Sequence, residues 1–305
     1  MPLKKYAVID LGSNTFHLLI AEKMVDGSFK TIFRKRVFTI LSDGGVDFIK
    51  EERLLFGLET LREFKEILSQ YQHVWLKVVG TAVLRKAKNR HIFIEAAQNI
   101  LNTNIEIIGG LQEADYIFRG IMTLPAMRNG SHLIMDIGGG STEFILIQNG
   151  TKIWSNSYSM GVGILYEKFH KTEPISNNAI IELSAFAKDL IQDMLIVLQD
   201  VSLDSLTGAS GSFEVLQMMS LGPGYESELC TIDLGTFDSI YNIIINSDFN
   251  QRSQIKGLPQ ERVKLIVVGM VLKNTIIQLV QPKSINVSPF ALKEGVLSEM
   301  AENEK

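Results

Sequence analysis

The sequence predicts an α/β protein built from two related domains, and three observations lead to that prediction. Segments with strand character alternate with segments of helical periodicity along the chain. Two similar glycine-rich segments, residues 7–20 and 133–146, each stand where a domain would begin. A length of 305 residues also suits two domains of ordinary size. We therefore expect domains over 1–124 and 125–305, with the last helix as a candidate to pack on the first domain.

In the first half, the spacing of apolar residues defines each element. Leucine, isoleucine and phenylalanine recur at helical intervals over 51–70, for example, whereas 74–79 is a short and largely apolar run. The predicted elements are a strand–turn–strand at 7–20, helices over 51–70, 89–101 and 111–122, and strands over 74–79 and 105–108.

The second half repeats this alternation after a cluster of Pro, Arg, Asn and Gly at 123–130, where we place the domain boundary. The predicted elements are a strand–turn–strand at 133–146, strands over 203–207 and 285–288, and helices over 162–170, 176–199, 212–220, 236–249, 259–280 and 290–302.

The two glycine-rich segments share one pattern. AVIDLGSNTFHLLI at 7–20 and LIMDIGGGSTEFIL at 133–146 both place Asp-apolar-Gly and small polar residues between apolar runs, so that Asp10 matches Asp136. Small residues let the backbone turn sharply and approach a ligand. A duplicated domain explains the match, and chance similarity between glycine-rich turns is the alternative.

Both turns are candidate phosphate-binding loops. Consecutive backbone N–H groups can hold an anion, and serine and threonine hydroxyls add donors. The candidate ligands are Gly12, Ser13, Asn14 and Thr15 in the first turn and Gly138, Gly139, Gly140, Ser141 and Thr142 in the second.

Carboxylates beside such loops predict a cation between the protein and a phosphate. Mg²⁺ prefers one or two carboxylates together with water and phosphate oxygens. The candidate ligands are Asp136 and Glu143, with Asp10 as a weaker one. The alternative for the aspartates is capping of the turn.

Three further features have an ordinary structural alternative. Glu113 stands in the first turn of a predicted helix, where the helix dipole favours glutamate in any case. Arg85 is either an anion clamp or a surface charge. The run TGASGS at 207–212 is either a nucleotide-binding turn or a plain strand-to-helix connection. Its candidate ligands are Gly208, Ser210 and Gly211.

Composition excludes several other classes of function. The formal net charge of −4 argues against nucleic-acid binding by bulk electrostatics. The single cysteine, Cys230, rules out an intramolecular disulfide and fits a reducing compartment. No apolar stretch is long enough to span a membrane, and the histidines are not spaced for zinc. We expect a cytoplasmic protein without nucleic-acid or membrane partners, and a homodimer remains open.

In this order, the motifs resemble those of the exopolyphosphatase and guanosine pentaphosphate phosphohydrolase family, a branch of the actin and sugar-kinase superfamily. The resemblance covers nearly the whole chain. Its strongest pieces are DLGSNTFHLLI at 10–20, GLQEA at 110–114 and DIGGGSTEF at 136–144. Supporting pieces are LRKAKN at 84–89, MGVGILYEKF at 160–169, TGASGSF at 207–213 and ALKEG at 291–295.

The resemblance implies two ribonuclease-H-like domains with the active site between them. It also implies Mg²⁺-dependent removal of a terminal phosphate from polyphosphate or guanosine pentaphosphate by water. Glu113 falls on the family's catalytic glutamate, which would orient or deprotonate that water. Arg85 falls on an arginine that faces the cleft. Gly12, Ser13 and Asn14 fall on the first phosphate motif, and Asp136, Gly138 and Glu143 fall on the second, which also holds the metal.

Some positions depart from the family pattern and bear on substrate choice. They are Thr39, Lys264, Val268 and Pro289. From the resemblance we expect no counterpart of the extra helical domain of longer relatives, and therefore weaker processivity on long polyphosphate. Two alternatives to a phosphohydrolase are a catalytically weak sensor of such phosphorylated ligands and a sugar or acetate kinase.

Overall fold

The computed structural model describes residues 4–25, 27–209, 211–222 and 229–302. The strands are β1 (Lys5–Leu11), β2 (Phe16–Lys23), β3 (Phe29–Val37), β4 (Val74–Gly80), β5 (Ile105–Ile107), β6 (Ser131–Ile137), β7 (Thr142–Gln148), β8 (Thr151–Tyr158), β9 (Ser205–Gly208), β10 (Cys230–Ile232) and β11 (Ser284–Val287). The helices are α1 (Glu51–Ser69), α2 (Ala82–Lys86), α3 (Arg90–Leu101), α4 (Gly110–Ile121), α5 (Val162–Phe169), α6 (Asn177–Leu190), α7 (Gln192–Leu198), α8 (Gly211–Leu221), α9 (Leu234–Asn246), α10 (Phe249–Ser253), α11 (Ile266–Val280) and α12 (Leu292–Glu302).

The chain divides into two compact units. The first unit comprises Met1–Gly120 and Leu292–Lys305, and the second comprises Ile121–Ala291. Each unit has its own sheet and its own apolar core. Helix α12 therefore belongs to the first unit although it ends the chain.

The two sheets repeat one strand order, and this repetition confirms the predicted α/β fold with two ribonuclease-H-like domains. The first sheet has the order β3-β2-β1-β4-β5, in which β1, β4 and β5 run parallel. The second contains the same arrangement as β8-β7-β6-β9-β11, and β10 is added antiparallel at its edge. The equivalent strands β1 and β6 also bury the same positions, and in each the half-buried sixth residue is an aspartate.

Most predicted elements lie within a few residues of their expected bounds, but three long helices are wrong in detail. The helix predicted over 176–199 is interrupted at Ile191, between α6 and α7. The one predicted over 236–249 ends at Asn246, because Asp248 and Gln251 form a capping box that starts α10. The one predicted over 259–280 becomes α-helical only at Ile266.

Helix α12 packs on β1 and on α4, the helix that carries Glu113. A side chain at Gly295 would place its Cβ only 1.8 Å from the backbone oxygen of Tyr116, so the two helices meet backbone to backbone. Lys77 joins the same elements by donating to Glu299 at 2.6 Å and to the Tyr116 hydroxyl at 2.9 Å. These contacts fix α4 within the first unit.

In the second unit, helix α11 contains a fully buried lysine. Lys273 is 0% exposed, and its Nζ donates to the backbone oxygen of Ser212 at 2.7 Å and lies 4.9 Å from the ring centroid of Phe213. Burial, together with the charge of Arg262, lowers the pKa of Lys273 to about 7. No helix within the described ranges is both long and apolar enough to cross a membrane.

We expect Lys273→Met to flatten part of the pH dependence of stability. Folded Lys273 loses its proton near pH 7, whereas a lysine in the unfolded chain keeps it to about pH 10. Between these values the unfolded chain binds more protons, so the free energy of unfolding of the wild type should rise with pH, by about 3–5 kcal/mol from this group alone. Methionine keeps the apolar contacts and carries no charge, so the variant should be more stable than the wild type below pH 7.

Urea unfolding at several pH values measures this effect. Lys188→Met, at an exposed position on α6, is the control. It should leave the slope of the free energy of unfolding against pH unchanged. Equal slopes for the wild type and Lys273→Met would show that Lys273 does not have a lowered pKa in the folded protein.

Candidate functional site

The first glycine-rich turn joins β1 to β2 and closes as predicted. Leu11 pairs with Phe16 across the hairpin, and the Gly12 N–H donates to the Thr15 oxygen at 3.1 Å. A Cβ on Gly12 would lie 2.7 Å from that oxygen, so the turn requires glycine. The Ser13 hydroxyl accepts from the backbone N–H of Val83 at 3.1 Å, which anchors the turn to the start of α2.

The second turn joins β6 to β7 with the same geometry. Ile137 pairs with Thr142, and the Gly138 N–H donates to the Ser141 oxygen at 2.9 Å. Thr142 departs from its predicted role in one respect. Its side chain is fully buried and its hydroxyl donates to the Met160 oxygen at 2.9 Å, so this donor is engaged by the main chain.

The two hairpins differ in the residue opposite the aspartate. Asp136 faces Glu143 across β6 and β7, whereas Asp10 faces His17 across β1 and β2. Residues directly opposed in an antiparallel pair lie on one face of the sheet, with Cβ atoms about 5 Å apart. The second hairpin therefore brings two carboxylates together at the mouth of its turn, and the first brings a carboxylate and an imidazole together.

The carboxylate pair fits a divalent cation. Glu143 is 1% exposed, and its Oε1 accepts a hydrogen bond of 2.7 Å from the Ser157 hydroxyl on β8. Two close carboxylates repel unless a cation or a proton lies between them. No group of three or more His, Cys, Asp or Glu side chains is arranged to hold a metal within the part of the chain that the structure describes. The pair would thus supply two oxygen ligands, and Mg²⁺ commonly takes the others from water and phosphate.

Glu113 and Arg85 lie together in the first unit. Glu113 occupies the first turn of α4, is 9% exposed, and donates its backbone N–H to the Gly109 oxygen at 2.9 Å. Arg85, at the end of α2, donates to the Ile108 oxygen at 2.6 Å and lies 3.5 Å from Glu113 Oε2. Arg85 therefore contacts a nearly buried carboxylate and is not an isolated surface charge.

The third glycine cluster lies between β9 and α8. Gly208 and Gly211 leave room for neighbouring side chains, since a Cβ would meet the Phe213 ring at 1.8 Å in the first case and Arg262 Nη2 at 2.0 Å in the second. Ser210 lies outside the described residues. The sequence did not predict that Arg262 lies at this turn, because nothing in the motif indicates that a guanidinium group packs against Gly211.

The four departures from the family pattern differ in their exposure. Thr39 and Val268 are fully buried, and Pro289 is half-buried after β11. Lys264 Nζ lies 5.0 Å from the ring centroid of Tyr166.

Comparison with known proteins gives one family. The sequence model of the Ppx/GppA phosphatase family matches residues 19–304. Among curated proteins, the guanosine-5'-triphosphate,3'-diphosphate pyrophosphatase of Vibrio parahaemolyticus is 30% identical over 299 residues. That alignment covers 97% of this chain and 59% of the relative, so the chain spans under two thirds of the relative's length.

Solved structures give the same fold over the full length. An exopolyphosphatase from Cytophaga hutchinsonii has a TM-score of 0.92 and 29% identity, and the alignment covers 98% of each chain. The Aquifex aeolicus Ppx/GppA enzyme has a TM-score of 0.81 and 22% identity, with 98% of this chain and 100% of that chain covered, and shows the fold alone.

Proposed function

Because the chain belongs to the Ppx/GppA phosphatase family, we propose that it is a phosphohydrolase that removes the terminal phosphate of guanosine pentaphosphate or inorganic polyphosphate. The observation that carries the proposal is the pair Asp136 and Glu143, opposed at the mouth of a glycine-rich turn. Two carboxylates beside backbone N–H groups are suited to a phosphate that is bound together with a cation. The names of the Vibrio and Cytophaga relatives supply the two substrate classes.

The residues of the second hairpin would hold the substrate and the metal. Backbone N–H groups of the turn, from Gly139 to Ser141, would donate to phosphoryl oxygens. Asp136 and Glu143 would hold Mg²⁺, which when bound offsets negative charge on those oxygens. Ser157 would keep Glu143 in place through its hydrogen bond.

Glu113 would act on the attacking water. Its carboxylate is nearly buried and has the Arg85 guanidinium 3.5 Å from Oε2, an environment that suits a group that must orient water and accept its proton. Phosphoryl transfer needs positioning and charge neutralisation more than covalent help, so a base of this kind together with a loop and a cation would be sufficient. The first hairpin would add N–H donors, and its Asp10 faces an imidazole instead of a second carboxylate, so we assign the metal to the second hairpin.

Phosphate release by the purified protein tests the proposal. The assay contains MgCl₂ and compares guanosine pentaphosphate, short polyphosphate and long polyphosphate. We expect release from at least one of them, and release that stops when EDTA removes the metal. Binding of these compounds without any release would instead indicate a binding protein.

A further inference from the structure

The start of α5 lies against the second glycine-rich turn and binds its carbonyl groups. The Val162 N–H donates to the Gly138 oxygen at 2.9 Å, and the Gly163 N–H donates to the Gly139 oxygen at 2.9 Å. In a trans peptide, the C=O and the following N–H point in opposite directions. The N–H groups of Gly139 and Gly140 therefore point away from α5.

Gly161, which caps α5, makes this contact possible because it has no side chain. A Cβ there would lie 2.4 Å from the carbonyl carbon of Gly139 and 2.4 Å from the nitrogen of Gly140. Its backbone angles are φ −73° and ψ 162°, which any residue adopts. The requirement for glycine at this position is therefore one of space.

The first hairpin uses another segment for the same purpose. The Ser42 N–H donates to the Ser13 oxygen at 3.0 Å, and the Ile40 N–H donates to the Asn14 oxygen at 3.0 Å. Both turns thus have their carbonyl groups bound from one side by backbone N–H groups. A turn whose oxygens are held back in this way presents donors to an anion and not acceptors.

We propose that Gly161 is a positioning residue of the second turn. Because Gly161 has no side chain, α5 packs directly against Gly139 and Gly140. This packing directs their amide groups toward a phosphoryl group of the substrate. The proposal rests on the proposed function for the identity of the substrate, but the orientation of the amides follows from the hydrogen bonds alone.

Steady-state kinetics of Gly161→Ala tests the consequence for catalysis. We expect kcat/KM for phosphate release to fall by about 100-fold or more, because a displacement of about 1 Å has such an effect on a positioned group. The fall should include a raised KM, since substrate contacts are lost. Gly235→Ala is the matched control, because it adds the same methyl group at an exposed position in the first turn of α9 in the same unit. Wild-type kcat and KM in Gly161→Ala would overturn the proposal.

A binding measurement keeps the proposal testable without turnover. With ¹⁵N-glycine labelling and sodium pyrophosphate as the probe, in the presence of MgCl₂, the amide resonances of Gly139 and Gly140 should shift in the wild type and in Gly235→Ala. They should not shift in Gly161→Ala, whose remaining glycine resonances should show that it is folded. If the wild-type resonances shift but no substrate is hydrolysed, the proposed function fails and this inference stands. If they do not shift, this inference is wrong whatever the enzyme activity.

Should Gly161→Ala not fold, Thr142→Val addresses the same contact. It removes the hydrogen bond to Met160, the residue before Gly161, while keeping a similar side-chain shape. We expect a smaller rise in KM and smaller amide shifts with pyrophosphate. Unchanged KM and unchanged shifts would count against the proposal.

Discussion

We expect Glu113→Gln to abolish phosphate release while leaving the fold and substrate binding intact. Glutamine has nearly the same shape as glutamate, and its amide oxygen can still accept the hydrogen bond from Arg85. It cannot take a proton from water, and removal of a positioned base typically lowers the rate by about 10²–10⁴-fold. The loss should therefore appear in kcat, with little change in KM.

Glu95→Gln is the matched control for this measurement. This substitution makes the same chemical change as Glu113→Gln, but at an exposed position on α3 in the same unit. Both variants should unfold at the same temperature as the wild type to within a few degrees. Turnover by Glu113→Gln at the wild-type rate would remove Glu113 from the mechanism.

We also expect a large effect of Asp136→Asn on stability. Relative to the wild type, the variant should be equally or more stable without metal and less stable with it. Without Mg²⁺, the change removes the repulsion between Asp136 and the nearly buried Glu143, so the unfolding temperature should stay level or rise. With Mg²⁺ the wild type should gain stability by mass action, by about 2.7 kcal/mol at a hundredfold excess over the dissociation constant. The variant should gain little, and its phosphate release should fall about 100-fold or more, because charge stabilisation of several kcal/mol is lost.

Thermal unfolding with increasing MgCl₂ separates these effects. Asp189→Asn, at an exposed position on α6, should behave as the wild type at every concentration. An equal Mg²⁺-dependent shift in the wild type and in Asp136→Asn would show that the metal binds elsewhere.

The sequence predicted those parts of the fold that depend on local pattern. The leucine spacing of α1 and the two glycine-rich hairpins are visible because the signal and the structure occupy the same residues. Strands β3 and β8 were missed, since each lies at an edge of its sheet and carries polar or charged residues along much of its length. The break before α10 had a readable signal, because Asp248 and Gln251 have the spacing of a capping box.

In the candidate site, too, the residues that belong to local motifs were predicted and those that act through tertiary contacts were not. Asp136, Glu143 and Glu113 were found from motifs, but the motif does not say that Asp136 faces Glu143, because register depends on the conformation of the turn. Ser157 and Gly161 act on the second hairpin from other elements, and their roles depend on tertiary contacts that no local pattern encodes.

In the proposed reaction, water attacks the terminal phosphate of the substrate, and labelling this water with oxygen-18 tests the attack. The purified protein is incubated with MgCl₂ and guanosine pentaphosphate or polyphosphate in water enriched in oxygen-18, without any acceptor. Attack by water predicts release of inorganic phosphate that carries one labelled oxygen, with no label in the shortened product and almost no release by Glu113→Gln. Phosphate release that requires an acceptor, or label found in the shortened product, would contradict it.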